Sequence, residues 1–384
     1  MSFYQPLGWR QLAHEKKKLL AAVAGISFAV ALMLMQLGFK DALYVGATLL
    51  HRSVDGELVL TSTLYEALLS TEGIVERRLQ QALSDPGVER VAPVRWSLAG
   101  WKNPWTHRRR SILVIGLDPE KEPLRLPGLQ EHAALLQQPG KLIFDSGSRS
   151  EYGPVVEAVQ AGKPVTVELQ QQEHDVAGLT RLGSSFVADG NVIVSTRAYQ
   201  KLFPHLDPHR MDAGIVKLKP GADAEAVQGR LRAVMPADTQ VLTRAEFIEL
   251  ETAYWARATP IGFVFLLGTA VGFIVGAVTV YQILYTDVVH HLPEYATLKA
   301  MGWSNQSICR VVIDQALILS VLGYMPGFGA ALLIYHAAVQ STGVPMAMTW
   351  ERALMVLGLS MLMSVISAML ALRKVRSADP ADIF

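Results

Sequence analysis

One cysteine, Cys309, stands among 384 residues, so no disulfide can form within the chain. Compactness must come from apolar cores, which a chain of this length can build unaided. Charge is also scarce: 18% of residues are Asp, Glu, Lys or Arg, and the signs nearly cancel to a net +1. That balance lacks the basic excess by which nucleic acid is usually held, so no nucleic-acid partner is expected. No G-x-x-x-x-G-K-[ST] phosphate loop occurs. Any ATP-driven work would therefore need an ATPase on another chain, with ATP and Mg bound there and no cofactor here. Catalytic sets are missing too. His205 and His209 have a metal-ligand spacing, but Pro204 and Pro208 interrupt the helix that would align them, and no third ligand follows. Asp145-Ser146-Gly147-Ser148 does not fit a nucleophile elbow. Neither a metal site nor a catalytic residue is expected.

Long apolar runs are what the sequence does have. With 51% hydrophobic residues and a mean hydropathy of +0.26, the chain reads as a few membrane spans plus an ordinary folded domain. Four segments reach the roughly 20 residues that a spanning helix needs. Leu19 to Phe39 is uncharged and follows Lys16, Lys17 and Lys18; Ile261 to Tyr285 is uncharged throughout. A third starts near Val311 and passes Tyr335 with only Asp314 inside, and Ala353 to Leu372 is closed by Arg373, Lys374 and Arg376. The first run is too long for a signal-peptide core of about 7 to 15 residues, so it reads as an uncleaved anchor.

Lys and Arg flank the first span on its N-terminal side and the last span on its C-terminal side, which places both termini in the cytoplasm of an inner, or plasma, membrane. The expected layout is a cytoplasmic segment 1–18, spans at 19–39, 260–286, 308–336 and 352–372, and a cytoplasmic tail 373–384. Residues 40–259 and 337–351 then lie outside, and 287–307 form a cytoplasmic loop.

The outer stretch alternates strand-like and helix-like runs, predicting an α/β (α+β) domain. Strands are expected at Glu57–Thr61, Val88–Leu98, Ser111–Leu117, Lys141–Phe144, Pro164–Leu169, Asn191–Ser195 and Ile215–Leu218. Helices are expected at Leu64–Leu83 and Ala222–Val234, while Asp41–His51 and Arg244–Ala258 read as stalk extensions of the spans. Arg108, Arg109 and Arg110 beside Trp101 and Trp105 could contact lipid headgroups or a partner protein, or form a solvated hairpin. Gly268, Gly272 and Gly276 share one face of the second span, a spacing suited to close helix packing within a subunit or across a dimer.

The segment from Pro293 to Gly302 is the most informative. A proline at a helix start, Glu294 in the first turn, Lys299 in the last and a closing glycine predict a short amphipathic helix between two spans. The run Glu294-Tyr295-Ala296-Thr297-Leu298-Lys299-Ala300-Met301-Gly302-Trp303 resembles the coupling helix of MacB/FtsX/LolC-type permeases. The layout of one span, a large domain and three further spans is similar too, as is the ending Asp379-Pro380-Ala381. Thr259–Phe263, Val280–Asp287 and Pro345–Thr349 narrow the resemblance to the DevC-type branch.

This resemblance implies a homodimer working with two copies of an ABC ATPase subunit. It also implies a periplasmic adaptor of the membrane-fusion type, a TolC-like outer-membrane channel and a glycolipid cargo. His290, Glu294, Tyr295, Leu298, Lys299, Met301 and Gly302 are then the expected coupling residues. An FtsX-like transmitter that activates a periplasmic hydrolase, or a LolC-like lipoprotein extractor, would share the same topology.

Overall fold

The computed structural model describes residues 16–294, 297, 301–342 and 346–377. Two compact units emerge, one containing residues 42–260 and the other the flanking apolar helices. The first described element is α1 (Lys16–Ala47), a continuous helix whose apolar stretch is long enough to cross a membrane. In hydrocarbon a helix satisfies every backbone polar group internally, which suits an uncharged run of this length.

Beyond α1 the chain turns into the short α2 (Leu49–Ser53) and then into the α/β unit. Its strands are β1 (Leu58–Ser62), β2 (Ile74–Val75), β3 (Val88–Lys102) and β4 (Arg109–Leu117). They continue as β5 (Lys141–Asp145), β6 (Thr166–Leu169), β7 (Gln172–Thr180) and β8 (Asn191–Ser195). Last come β9 (Arg210–Met211), β10 (Ala213–Leu218) and β11 (Thr239–Thr243). Nine of them form one mixed sheet in the order β11-β1-β10-β3-β4-β8-β5-β7-β6, and β2 pairs with β9.

The 15-residue β3 serves two sub-structures. Its first half pairs with β10, while Trp101 and Lys102 at its end pair with Leu169 and Glu168 of β6. That second pairing closes β3, β4, β8, β5, β7 and β6 into a ring around Trp101, Phe144 and Tyr152. On the open side, α3 (Arg77–Leu83) contributes Leu79 to a core with Ile74, Leu60 and Val216. The helix α4 (Thr196–Leu202) starts at Ser195, whose side chain accepts Ala198 N–H. The helix α5 (Ala224–Val234), which adds Val227 and Leu231 to the core that holds Leu79, starts at Asp223, whose side chain accepts Glu225 N–H. The unit closes with α6 (Arg244–Ala253), opened by a reciprocal Thr243–Glu246 capping box, and with a π-helical turn, Tyr254–Ala258.

Most expected strands appear within a few residues of their expected bounds. The expected helix at Leu64–Leu83 does not; only Arg77–Leu83 is helical. The reason is tertiary. Leu64 N–H donates to Ser62 Oγ, Leu68 N–H to Glu251, and Leu68 C=O accepts Trp96 Nε1–H, so backbone groups that a helix would pair internally are bound elsewhere. β7, β11 and α4 were not expected.

The second unit gathers α1 with α7 (Ile261–His290), α8 (Asn305–Thr342) and α9 (Trp350–Ser377). All four are long and apolar enough to span a membrane. Hydroxyls bind backbone carbonyls across helices: Ser27 Oγ donates to Gly323 O at 2.9 Å, and Ser367 Oγ to Ala277 O at 2.7 Å. Such bonds let polar side chains hold helices together where no hydrophobic force separates helix from lipid. Near one end of this unit, Arg352 is buried and donates to Asp41 (2.7 Å), the Tyr335 hydroxyl (3.1 Å) and Ala347 O (2.9 Å), linking α1, α8 and α9.

Candidate functional site

Three assemblies bear on function: the turn after α7, a buried polar knot in the α/β unit, and the glycine face of α7. At the turn, His291 N–H donates to Asp287 O at 3.0 Å, and its ring Nδ1 lies 2.9 Å from the same carbonyl. Thr297 Oγ1 then donates to Pro293 O, and Met301 N–H to Thr297 O. Gly302 follows with φ +95°, the left-handed conformation that ends a helix at little cost only in glycine. Ser304 Oγ accepts Ser307 N–H and restarts the chain into α8.

This turn displays its side chains. Met301 is 66% exposed and Trp303 43%, with Val289, His290 and Glu294 also exposed. Val289 and His290 end α7, while Met301 and Trp303 are exposed apolar side chains beyond it. Of the expected coupling residues, Tyr295, Leu298 and Lys299 lie outside the described residues.

The knot is the opposite in character. Glu251 on α6 is fully buried. One carboxylate oxygen accepts Leu68 N–H (2.8 Å) and the Tyr65 hydroxyl (3.3 Å), and the other accepts Trp255 Nε1–H (2.8 Å). His51 on α2 is buried as well, with Nε2 2.8 Å from the Tyr65 oxygen and 3.4 Å from Glu251. Phe247 lies against the His51 ring, centroids 4.3 Å apart. Burial first, and the neighbouring Glu251 carboxylate next, hold the Tyr65 phenol well above its ordinary pKa, so it stays a donor. The knot therefore ties α2, which follows α1, to α6 and the π-helical turn, which precede α7. Sequence reading missed it. A signal existed: Glu251 is four residues from both Phe247 and Trp255, which places a carboxylate on an aromatic helix face.

Gly268, Gly272 and Gly276 face side chains of the same chain. A Cβ on Gly276 would come within 2.5 Å of Met363 Sδ and 2.8 Å of Ala29 Cβ. One on Gly268 would meet Gln36 at 2.5 Å, and one on Gly272 would meet Met33 at 3.1 Å. This face packs α7 onto α1 and α9. The buried stripe continues through Val280, Leu284 and Val288, yet only 11% of the most apolar window of α7 is buried, against 33% for α1 and for α9.

The tryptophan–arginine hairpin is corrected in part. Trp101 is fully buried inside the strand ring and is no surface contact, because its alternation along β3 points it inward. Arg109 pairs with Glu168 at 2.9 Å and Arg110 with Asp189 at 3.0 Å, so their charge is already balanced within the unit. Trp105 and Arg108 remain exposed. His205 and His209 sit in an exposed loop, and no cluster of three metal-ligating side chains occurs among the described residues. Asp145 is buried as a backbone acceptor for Gly147, Leu182 and Gly183 N–H, which gives the Asp145–Ser148 turn a structural role.

Comparisons with known proteins agree with this division. Residues 19–234 match the MacB-like periplasmic core domain, and residues 266–380 match the FtsX-like permease C-terminal domain. An uncharacterized ABC transporter permease protein of Mycobacterium tuberculosis is 24% identical over 336 residues, covering 83% of this chain and 36% of that one. An uncharacterized ABC transporter permease of Methanocaldococcus jannaschii is 21% identical over 228 residues, covering 56% of each. The chain thus spans about a third to about half the length of these relatives. Among solved structures, the periplasmic region of MacB from Actinobacillus actinomycetemcomitans aligns over 52% of this chain and 94% of its own, with 10% identity and a TM-score of 0.38.

Proposed function

The chain belongs to the MacB- and FtsX-like permease family, and from that premise we propose that it is the membrane subunit of an ABC-type exporter that turns a partner's ATP hydrolysis into movement of its α/β domain. In this reading both termini and the 287–307 turn are cytoplasmic, and the α/β domain is periplasmic. The segment from Glu294 to Trp303 docks on the separate ATPase, with exposed Met301 and Trp303 as its apolar anchors. Two copies of the chain work together. A fusion-type adaptor and a TolC-like channel extend the path outward, and the cargo is a glycolipid, as the DevC-type runs suggest.

The single observation that carries the mechanical reading is the knot at Glu251. One buried carboxylate joins the segment that follows α1 to the segment that precedes α7. A displacement delivered along either helix is then imposed on both connections of the domain, so the domain moves as a body. Transmission of this kind needs no catalytic residue in the chain.

The test uses the full chain assembled with its ATPase and adaptor. Replacing Glu294 and Leu298 together should leave the spans inserted and ATP hydrolysis present while export of labelled lipid stops. Undiminished export in that double variant would overturn the coupling assignment. Failure of the adaptor to co-purify, with a periplasmic hydrolase activated instead, would redirect the reading to an FtsX-like transmitter.

A further inference from the structure

Between α7 and α9 lies a lateral groove of about 610 Å³, at the end where α9 reaches Arg373. Ala277 and Val278 wall its inner part, and Tyr281 and Tyr285 stand one turn apart toward its mouth. The two rings are 5.7 Å apart and tilted by 33°. Ser367 lines the groove, but its hydroxyl proton is spent on Ala277 O and Met363 O, so it offers an incoming phosphate no free donor. Arg373 closes the mouth. It is exposed and has no carboxylate partner among the described residues, and no acidic side chain lines the groove.

From this we infer that the α7–α9 groove binds a glycerophospholipid of the adjoining leaflet, with the lipid phosphate on Arg373 and one acyl chain lying along Ala277 and Val278. Three features support a lipid rather than a small anion. The cationic group is at one end only, and everything deeper is apolar. From Ala277 to Tyr285 the helix rises about 12 Å, close to the roughly 15 Å of one leaflet's hydrocarbon. The tyrosines sit where an aromatic side chain can cover the first methylenes while its hydroxyl meets the headgroup. Charge complementarity selects an anionic headgroup, because a basic pocket between membrane helices at this level draws acidic lipid. The α7–α9 seam is itself closed by the Ser367 Oγ–Ala277 O hydrogen bond, and α7 runs on toward the turn that ends at Gly302, so an occupant would lie along that seam. Assignment to the cytoplasmic leaflet rests on the orientation proposed above; the binding itself does not.

The experiment is native mass spectrometry of the full chain, delipidated in detergent. It is titrated with phosphatidylglycerol, with phosphatidylcholine of the same acyl chains, and with inorganic phosphate alone. The wild-type chain should retain one phosphatidylglycerol with a preference of about fivefold over phosphatidylcholine, the size of effect expected for one interfacial cation. Inorganic phosphate should neither bind nor compete. Arg373→Gln should remove the preference, and Arg373→Lys should keep most of it. Ala277→Phe, which fills the groove with the cation intact, should weaken both lipids.

Unchanged preference in Arg373→Gln, or undiminished binding in Ala277→Phe, would overturn the inference. So would competition by inorganic phosphate, which would mark a simple ion site. Should Arg373→Gln fail to insert, the Arg373→Lys and Ala277→Phe pair still decides. Loss of lipid preference without loss of export, or the reverse, separates this inference from the proposed function.

Discussion

The Glu251 knot and the turn around Gly302 handle polar and aromatic side chains in opposite ways. In the knot a carboxylate, an imidazole and a phenol are buried and an indole is half-buried, and all but His51 Nδ1 find hydrogen-bond partners among the described residues. At the turn Met301 and Trp303 lie open, and Gly302 at φ +95° together with local hydrogen bonds at Thr297 and Ser304 shapes the path. In the joint proposed to carry force, both carboxylate oxygens of Glu251 are engaged, while buried His51 Nδ1 has no hydrogen-bond partner among the described residues. The surface proposed to receive the ATPase leaves Met301 and Trp303 uncovered. The same fold thus separates an internal joint from an external one by burial alone.

The largest test of that contrast is Glu251→Ala. It strands Leu68 N–H, Trp255 Nε1–H, Tyr65 and His51 together, and breaking such a buried charge network costs about 3–5 kcal/mol. Denaturant unfolding of the full chain in detergent should show it, and an unchanged midpoint would remove the knot from the argument.

Next is the pair Met301→Ser and Trp303→Ser. Surface changes of this kind should move stability by less than about 0.5 kcal/mol. Affinity for the ATPase partner should fall at least about tenfold, as for an anchor residue of an interface; equal binding by titration would show that the exposed patch serves something else. Gly302→Val forces a β-branched residue into the left-handed region and should cost about 1–2 kcal/mol locally. Faster amide exchange confined to the turn would be the readout, and a global loss would contradict its isolation from the packed helices.

The smallest effect concerns a second buried carboxylate. Asp212 lies near Arg95 and accepts Trp96 N–H, and burial pushes its pKa up to about 6. Because its folded value is raised, its stabilising contribution is complete below the ordinary carboxylate range and is lost as pH rises through about 6. Asp212→Asn keeps an acceptor for Trp96 and should flatten the fall in Tm between about pH 4 and 7. A profile identical to wild type would assign that window to another group.

How much of this was legible depends on how local the physics is. The four apolar helices were readable because length and hydropathy fix them residue by residue, with α7 beginning at Ile261 as expected. The stop at Gly302 was readable because only one residue type tolerates that backbone. The stretch Leu64–Gly73 was misread as helix because its backbone partners, Glu251 and Trp96, are 183 and 28 residues away. Whether Trp101 was a surface contact stayed open in the sequence because the closure of β3 onto β6 depends on a pairing 68 residues apart between Trp101 and Leu169.

By itself, the sequence determined the number of apolar helices, the α/β character of the inserted domain and the position of the turn before α8. Each depends on periodicity, propensity or hydropathy within a short window. Only the tertiary structure decided that α7 turns its glycines to its own chain, that Glu251 unites the two ends of the inserted domain, and that Arg373 overlooks an apolar groove. Those facts arise from which distant side chains meet, and a linear pattern carries no record of that meeting until the chain has closed on itself.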